Sequence, residues 1–261
     1  MTDDSMDSSS LPQLIPLLQT LLGSPSPLTL GATLTAFLEI CPDRLDLLHQ
    51  YYRHICRLIV DADEWGQVVA LEVLTRYARL MLEKPELPVK SNGTRPDPAE
   101  SEDEFEGVDP DLAMLLYCIR PLFQSRNPAV VLAVSMAYFH LAPLDHPSIG
   151  QTSLVSPLLR LAGAPRGGEE VTTLTWDVLA AMTEERPVSG TPRHPFTRAD
   201  LQTLFSAHYQ RFFAYASDPA TVKIPKIRTL CVLLTRENAT AMMREFKVGP
   251  RRRLHACRAD W

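Results

Sequence analysis

The sequence is poor in the features that most enzymes and membrane proteins need. Glycine is scarce, 11 in 261 residues, and neither G-x-x-x-x-G-K-[ST] nor G-x-G-x-x-G occurs, so a phosphate-cradling loop has no support. H-E-x-x-H and G-x-S-x-G are missing too, which removes the common zinc-protease and serine-hydrolase signatures. The five cysteines, Cys41, Cys56, Cys118, Cys231 and Cys257, form no close pair. Their odd number, with no secretory signal, favours a reducing cytosolic setting in which most of them are small buried hydrophobes. Met1 to Ser10 is acidic and Ser-rich, a disordered leader with no basic segment followed by an apolar one. The longest uncharged run, Asn127 to Leu144, falls short of the roughly 20 residues of a membrane span and is bracketed by Pro128 and Pro143. A core helix is expected there and no transmembrane segment. The net charge of −5 disfavours a general nucleic-acid binder.

Single residues that invite chemistry have ordinary explanations. His49 and His54 are spaced i,i+5 with Cys56 nearby, whereas a helical zinc pair sits at i,i+4 with further ligands, so both read as partly exposed histidines. His140 reads as a core or edge histidine. Asp61, Asp63 and Glu64 suit a helix start better than a cation site. Trp65 and Tyr77 read as core anchors rather than ligand platforms. Ser101, in Ser101-Glu102-Asp103-Glu104, is a candidate phosphorylation site for an acid-directed kinase, set against a merely solvated linker. Arg251 to Arg253 form a short basic cluster in an atypical tail, 248–261, with acidic lipid or RNA as the alternative to plain solvation. No catalytic, cofactor or metal residue is assigned.

What is abundant is helical periodicity. Asp61 to Leu82 is the clearest helix, with Glu72, Thr75, Arg76 and Arg79 on one narrow stripe and apolar residues over most of the rest. That pattern predicts packing on two sides. Asp61 and Glu64 stand at capping-box spacing, and Glu72 and Arg76 form an i,i+4 pair.

Around it, Leu11 to Leu22 predicts a first helix after the Ser10 cap. Leu30 to Leu38 predicts a second, ended before Pro42, and the seam Leu45, Leu48, Tyr52, Ile55, Ile59 a third. Residues 84–108, proline-rich and then acidic, predict a disordered insertion. Asp109-Pro110 and Asn127-Pro128 each place a cap before a proline at the first helical position. Leu154 to Leu161, Val171 to Met182, Leu201 to Ala216, a helix opened by Asp218-Pro219 and Asn238 to Lys247 complete about eleven helices, with no strand pattern. Pro187 to Pro195 reads as a loop, and Pro225 conflicts with its helix and predicts a kink. Helices with Val-rich faces begin near Trp65, Asn127, Gly168 and Asp218. Less an insertion of roughly 20 residues, their spacing approaches the 40–47 residues of HEAT and armadillo repeats. The expected fold is all-α, an α-solenoid of stacked helical repeats.

The stretch CPDRLDLLHQYYRHICRLIVDADEWGQVVALEVLTRYARLM, Cys41 to Met81, resembles the trunk of a β-adaptin, in particular the beta subunits of the third adaptor-protein complex. Trp65, Gly66, Gln67, Arg76 and Tyr77 are its signature residues. Val108 to Asp111, Pro121 to Val131 (PLFQSRNPAVV), Phe205 to Pro219 (FSAHYQRFFAYASDP) and Met243 to Lys247 (MREFK) follow in the same order. The resemblance implies a non-enzymatic scaffold over residues 11–247. Its implied partners are a second large subunit, a medium and a small subunit in a heterotetramer. It also implies peripheral recruitment to Golgi and endosomal membranes by an Arf-family GTPase and phosphoinositides, for sorting toward the lysosome or vacuole. Cargo pockets in that family lie mainly on the medium and small subunits, so no cargo residue is carried over. Glu72, Arg76 and Arg79 are candidate exposed contacts. Family beta subunits are several times longer, so the expected molecule is a partial or alternatively terminated product that leaves the family pattern after Lys247. The competing expectation is a general HEAT-type scaffold or transport receptor outside vesicle coats.

Overall fold

The computed structural model describes residues 11–83, 108–142, 154–163, 168–183, 202, 204–215 and 218–244. The expectations for the leader, for residues 84–107 with Ser101, for the 187–195 loop and for the 248–261 tail lie outside those residues. The chain forms two compact units, Met1–Ile149 and Gly150–Trp261. Among the described residues there is no strand.

The first unit runs through α1 (Leu11–Leu22), α2 (Pro27–Ile40), a 3-10 turn at Leu45–Leu48 and α3 (Tyr52–Leu58). A second 3-10 turn at Ile59–Asp61 leads into α4 (Glu64–Met81), followed by α5 (Pro110–Ile119), a 3-10 turn at Arg120–Gln124 and α6 (Pro128–Leu141). α2, α4 and α6 pack side by side in one row, while α3 packs on α5 behind them and α1 on α2. The chain therefore alternates between two layers, the arrangement of an α-solenoid, in which each helical pair buries its apolar face only by stacking on the next.

The proline-marked starts form as their residues dictate. Asn127 Oδ1 accepts from the Ala129 N–H at 2.9 Å with Pro128 at the first helical position. Asp109 accepts from the N–H groups of Asp111 and Leu112 at 2.7 and 3.3 Å, ahead of Pro110. Each cap satisfies backbone donors that the helix leaves open. α6 buries most of its circumference, Val130, Val131, Leu132, Val134, Ala137, Tyr138 and Phe139 among them. It is a core helix, and no described helix is long and apolar enough to cross a membrane.

Two expectations for this unit are corrected. The seam Leu45, Leu48, Tyr52, Ile55, Ile59 is fully buried, but the backbone under it is not one helix: it passes from 3-10 to α and back. Steps of three suit a 3-10 turn as well as steps of four suit an α turn, so apolar spacing does not separate them. The central helix begins at Glu64, not Asp61. Asp61 ends the preceding 3-10 turn, and Asp63, in extended geometry, is the cap, accepting from the Gly66 N–H at 3.2 Å. The capping box of Asp61 with Glu64 does not form.

The second unit contains α7 (Ser156–Ala162), α8 (Gly168–Thr183), a 3-10 turn at Tyr209–Phe212 and α9 (Ala220–Leu233). α7 packs on α8, α8 on α9, and the 3-10 turn on α9. Gly168 opens α8 with φ +77°, a left-handed backbone that only glycine adopts freely. The continuous helix expected over Leu201 to Ala216 is absent: residues 204–206 are helical, 207–208 turn, and 209–212 are 3-10. Phe205 and Phe212 are nonetheless both buried, edge-to-face at 5.8 Å. α9 continues through Pro225, whose carbonyl accepts from the Thr229 hydroxyl at 3.0 Å. Asp218 does not cap α9; it accepts from the Tyr215 N–H at 2.9 Å and from Lys226 Nζ at 2.6 Å. Residues 239–244 are helical after Asn238, whose side chain binds the Thr235 N–H and the Leu233 carbonyl.

Candidate functional site

Three of the residues that sequence singled out, Trp65, Gly66 and Gln67, stand at the edge of the first unit where α4 begins beside α2 and α6, while Glu72, Arg76, Tyr77 and Arg79 lie further along α4. Gly31 of α2 and Gly66 of α4 bring two helix backbones together. A Cβ built on Gly31 would lie 2.7 Å from the Gly66 Cα, and one on Gly66 would lie 3.1 Å from the Gly31 Cα and 2.6 Å from Asp63 Oδ1. At Gly31 an added methyl meets backbone, and at Gly66 it would displace the capping Asp63 carboxylate and crowd the Gly31 Cα, so Gly66 of the signature is explained by packing. Gln67 is buried, and its amide donates to the carbonyls of Val60 at 3.1 Å and Ala62 at 3.0 Å. It thereby pins the turn entering α4 to the helix itself. On the other flank the Asn127 amide donates to Glu64 at 2.6 Å, so the side chain that caps α6 also ties its start to that of α4.

Tyr77, also buried, stacks on Tyr52 at 4.8 Å and shares a hydrogen bond with His49 Nδ1. The Tyr52 hydroxyl donates to the Asp111 carbonyl at 3.1 Å, and Arg53 pairs with the Asp111 carboxylate at 2.7 Å. Burial pushes the hydroxyls of both tyrosines above their ordinary pKa and raises that of Cys56 to about 12. These are neutral, inert groups at physiological pH. His54 binds the Ser24 carbonyl at 2.9 Å. Cys41 and Cys56 are buried, but Cys118 is only partly so and Cys231 is exposed. Burial as a small hydrophobe thus holds for two of the four described cysteines.

Two expectations fail at α4. Trp65 is not a core anchor: it is 76% exposed. On the helix it stands with Glu72, Arg76 and Arg79 at i, i+7, i+11 and i+14, on the stripe that faces neither α2 nor α6. Arg76 does not pair with Glu72; its guanidinium reaches Asp43 at 2.9 Å. Glu72 is exposed, and Arg76 and Arg79 are half-buried. Exposure also continues at Leu80 and Met81, which periodicity had placed in the apolar surround.

Sequence reasoning missed three contributors. Gly31 looks like any small residue in a helix, and its partner is 35 positions away, too distant for a periodicity rule. Asn127-Pro128 signals a cap, but nothing adjacent to it signals the bond of its amide to Glu64. In the second unit, Lys226 lies in a helix of mixed character, and nothing local marks it for burial. It is 6% exposed, paired with Asp218, and sits 5.0 Å from the Trp176 ring and 5.4 Å from the Tyr215 ring. An open cleft of about 730 Å³ in the same unit is lined by Glu169, Glu170, Asp177, Thr173 and Thr221. Two of its carboxylates, Glu169 and Glu170, stand in the first turn of α8, where they complement the helix dipole. Among the described residues no three metal-ligating side chains come together.

A two-layer stack of helices, pinned by caps and backbone contacts and presenting an open stripe, defines a helical-repeat scaffold. Comparison with known proteins places it. The Adaptin N terminal region matches residues 4–248, and the chain belongs to that family. It is 33% identical over 264 residues to the AP-3 complex subunit beta-2 of Mus musculus and 35% identical over 272 residues to the AP-3 complex subunit beta of Dictyostelium discoideum. Each alignment covers 93% of this chain and 22% of the relative, so the chain spans about a fifth of their length. Among structures, a homology model of the full-length AP-3 complex in an intermediate open conformation matches with a TM-score of 0.55 and 25% identity. That match covers 90% of this chain and 37% of the other.

Proposed function

We propose that this chain acts as a scaffold segment of the beta subunit of a heterotetrameric vesicle-coat adaptor complex, serving intracellular protein transport without catalysis or a cofactor. The observation that carries the reading is the match of residues 4–248 to the Adaptin N terminal region, on a helical stack in which Gly66, Gln67 and Tyr77 of the signature join neighbouring elements. Proteins named as beta subunits of the AP-3 complex are similar over nearly the whole chain.

On this reading residues 11–247 form one solenoid segment carrying an acidic insertion at 84–108. Its partners are the second large, the medium and the small subunits, with Glu72, Arg76 and Arg79 as contacts on the open stripe. Membrane association is peripheral, through the complex and an Arf-family GTPase, on Golgi and endosomal membranes for delivery to the lysosome or vacuole. Ser101 is the position at which an acid-directed kinase would add charge to the insertion.

The test is a tagged pull-down of this chain from its own cells, with the co-purifying proteins identified by mass spectrometry. Recovery of the second large, medium and small subunits is expected. Recovery of chaperones without any of these subunits defeats the proposal.

A further inference from the structure

The edge where α2 and α4 begin carries more than the joint between them. Trp65, in the first turn of α4, and Leu28, in the first turn of α2, are 76% and 80% exposed. Gly31, one turn after Leu28, meets Gly66, the residue after Trp65, so the two helices start side by side, and Val60, in the turn that leads into α4, is exposed as well. Three exposed carboxylates stand in the same short segment: Asp61, Asp63 and Glu64. Asp63 is engaged by the Gly66 N–H and Glu64 by the Asn127 amide, both neutral donors. Among the described residues none of the three is paired with a lysine, arginine or histidine.

We propose that this edge is a docking site for a basic protein segment that lays an arginine on the face of Trp65, with Leu28 and Val60 receiving an adjoining apolar side chain. A large exposed aromatic with apolar neighbours is the usual centre of a protein contact. The charge around it selects the occupant. A guanidinium stacks on an indole face and can pair at the same time with the carboxylates beside it. Anionic lipid and nucleic-acid backbones are repelled by those carboxylates. A second copy meeting this one through the same patch would oppose like charges, in a chain that already carries −5. The proposal does not depend on the coat-adaptor reading, since it rests on the exposed side chains alone.

The experiment uses the full chain and a short fluorescein-labelled peptide of alternating arginine and leucine, followed by fluorescence anisotropy. Binding is expected to be saturable, weaker for the lysine–leucine version and absent for the glutamate–leucine version. Trp65→Ala should weaken it by about fivefold or more, the size of one cation–π contact. Asp61→Asn, which leaves the Asp63 cap and the Glu64 contact in place, should weaken it by about twofold and flatten its salt dependence. Trp65→Phe, which keeps an aromatic face, should retain part of the affinity and controls for folding. Equal binding of the arginine and glutamate peptides overturns the proposal, as does unchanged affinity in Trp65→Ala. Self-association of the chain that Trp65→Ala abolishes, with no peptide binding, assigns the edge to a second copy and overturns it too.

Discussion

The two units join neighbouring helices by opposite means. In the first, α2 and α4 meet where side chains are missing, with Gly31 and Gly66 in backbone contact. In the second, α8 and α9 meet around a charge: Lys226 of α9 lies between the Trp176 and Tyr215 rings and pairs with Asp218. The glycine joint draws its stability from close van der Waals contact and from hydrogen bonds such as those of Gln67. The lysine joint must repay the cost of taking an ammonium out of water, which it does with one short ion pair and two aromatic faces. A joint of the first kind fails when something is added to it, and one of the second kind when something is removed.

The largest effect is expected from breaking the charged joint. Lys226→Ala leaves Asp218, itself largely buried, without its cation and opens a hole beside Trp176. A loss of about 3–5 kcal/mol is expected, the range for removing one partner of a buried pair. Lys226→Met, which keeps the volume and drops the charge, should cost distinctly less when paired with Asp218→Asn. Amide hydrogen exchange resolves the comparison locally: α8 and α9 should lose protection in Lys226→Ala while α2 and α4 keep theirs. Uniform loss across both units contradicts the assignment of a separate joint.

Gly31→Ala tests the other joint. In an exposed helix this change gains up to about 1 kcal/mol of helix propensity. Here the new methyl would meet the Gly66 Cα at 2.7 Å, and backbone cannot swing aside as a flexible side chain can. The helices must part, and a net loss of about 1–3 kcal/mol is expected, typical of overpacking. Thermal melts with hydrogen exchange at α2 and α4 measure it. A stabilised Gly31→Ala protein would show that the contact has slack.

The same contrast explains how much was legible in the sequence. Two helix starts are legible in local code, Asn127-Pro128 and Asp109-Pro110, which need only adjacent residues to act, whereas Asp218-Pro219 follows the same code without Asp218 capping α9. The two-sided burial of α4 was also legible, because a wide apolar surround admits no other packing. Where two elements meet, local code runs out. Gly31 finds its reason only in Gly66, and Lys226 only in Asp218, Trp176 and Tyr215. Trp65 was misread for a related cause: bulk and apolarity argue for burial, but the residue belongs by position to the polar stripe of Glu72, Arg76 and Arg79. The shift of the α4 cap from Asp61 to Asp63 followed from the 3-10 turn before it, which apolar spacing does not reveal.

The smallest effect is expected at Arg76, and its smallness is what makes it useful. Arg76 and Lys226 are both basic residues in ion pairs of under 3 Å. Asp43, however, is 91% exposed, so water and salt screen the Arg76 pair and replace it when it is lost. Arg76→Ala should therefore change stability by less than about 0.5 kcal/mol, against several for Lys226→Ala. If Arg76 contacts a partner subunit on the open stripe, the same variant should melt like the parent yet recover less of that subunit in a pull-down. A melt lowered as far as that of Lys226→Ala would make Arg76 part of the fold instead. An unchanged melt with unchanged recovery would leave the Arg76–Asp43 pair a solvated surface contact and remove Arg76 from the interface.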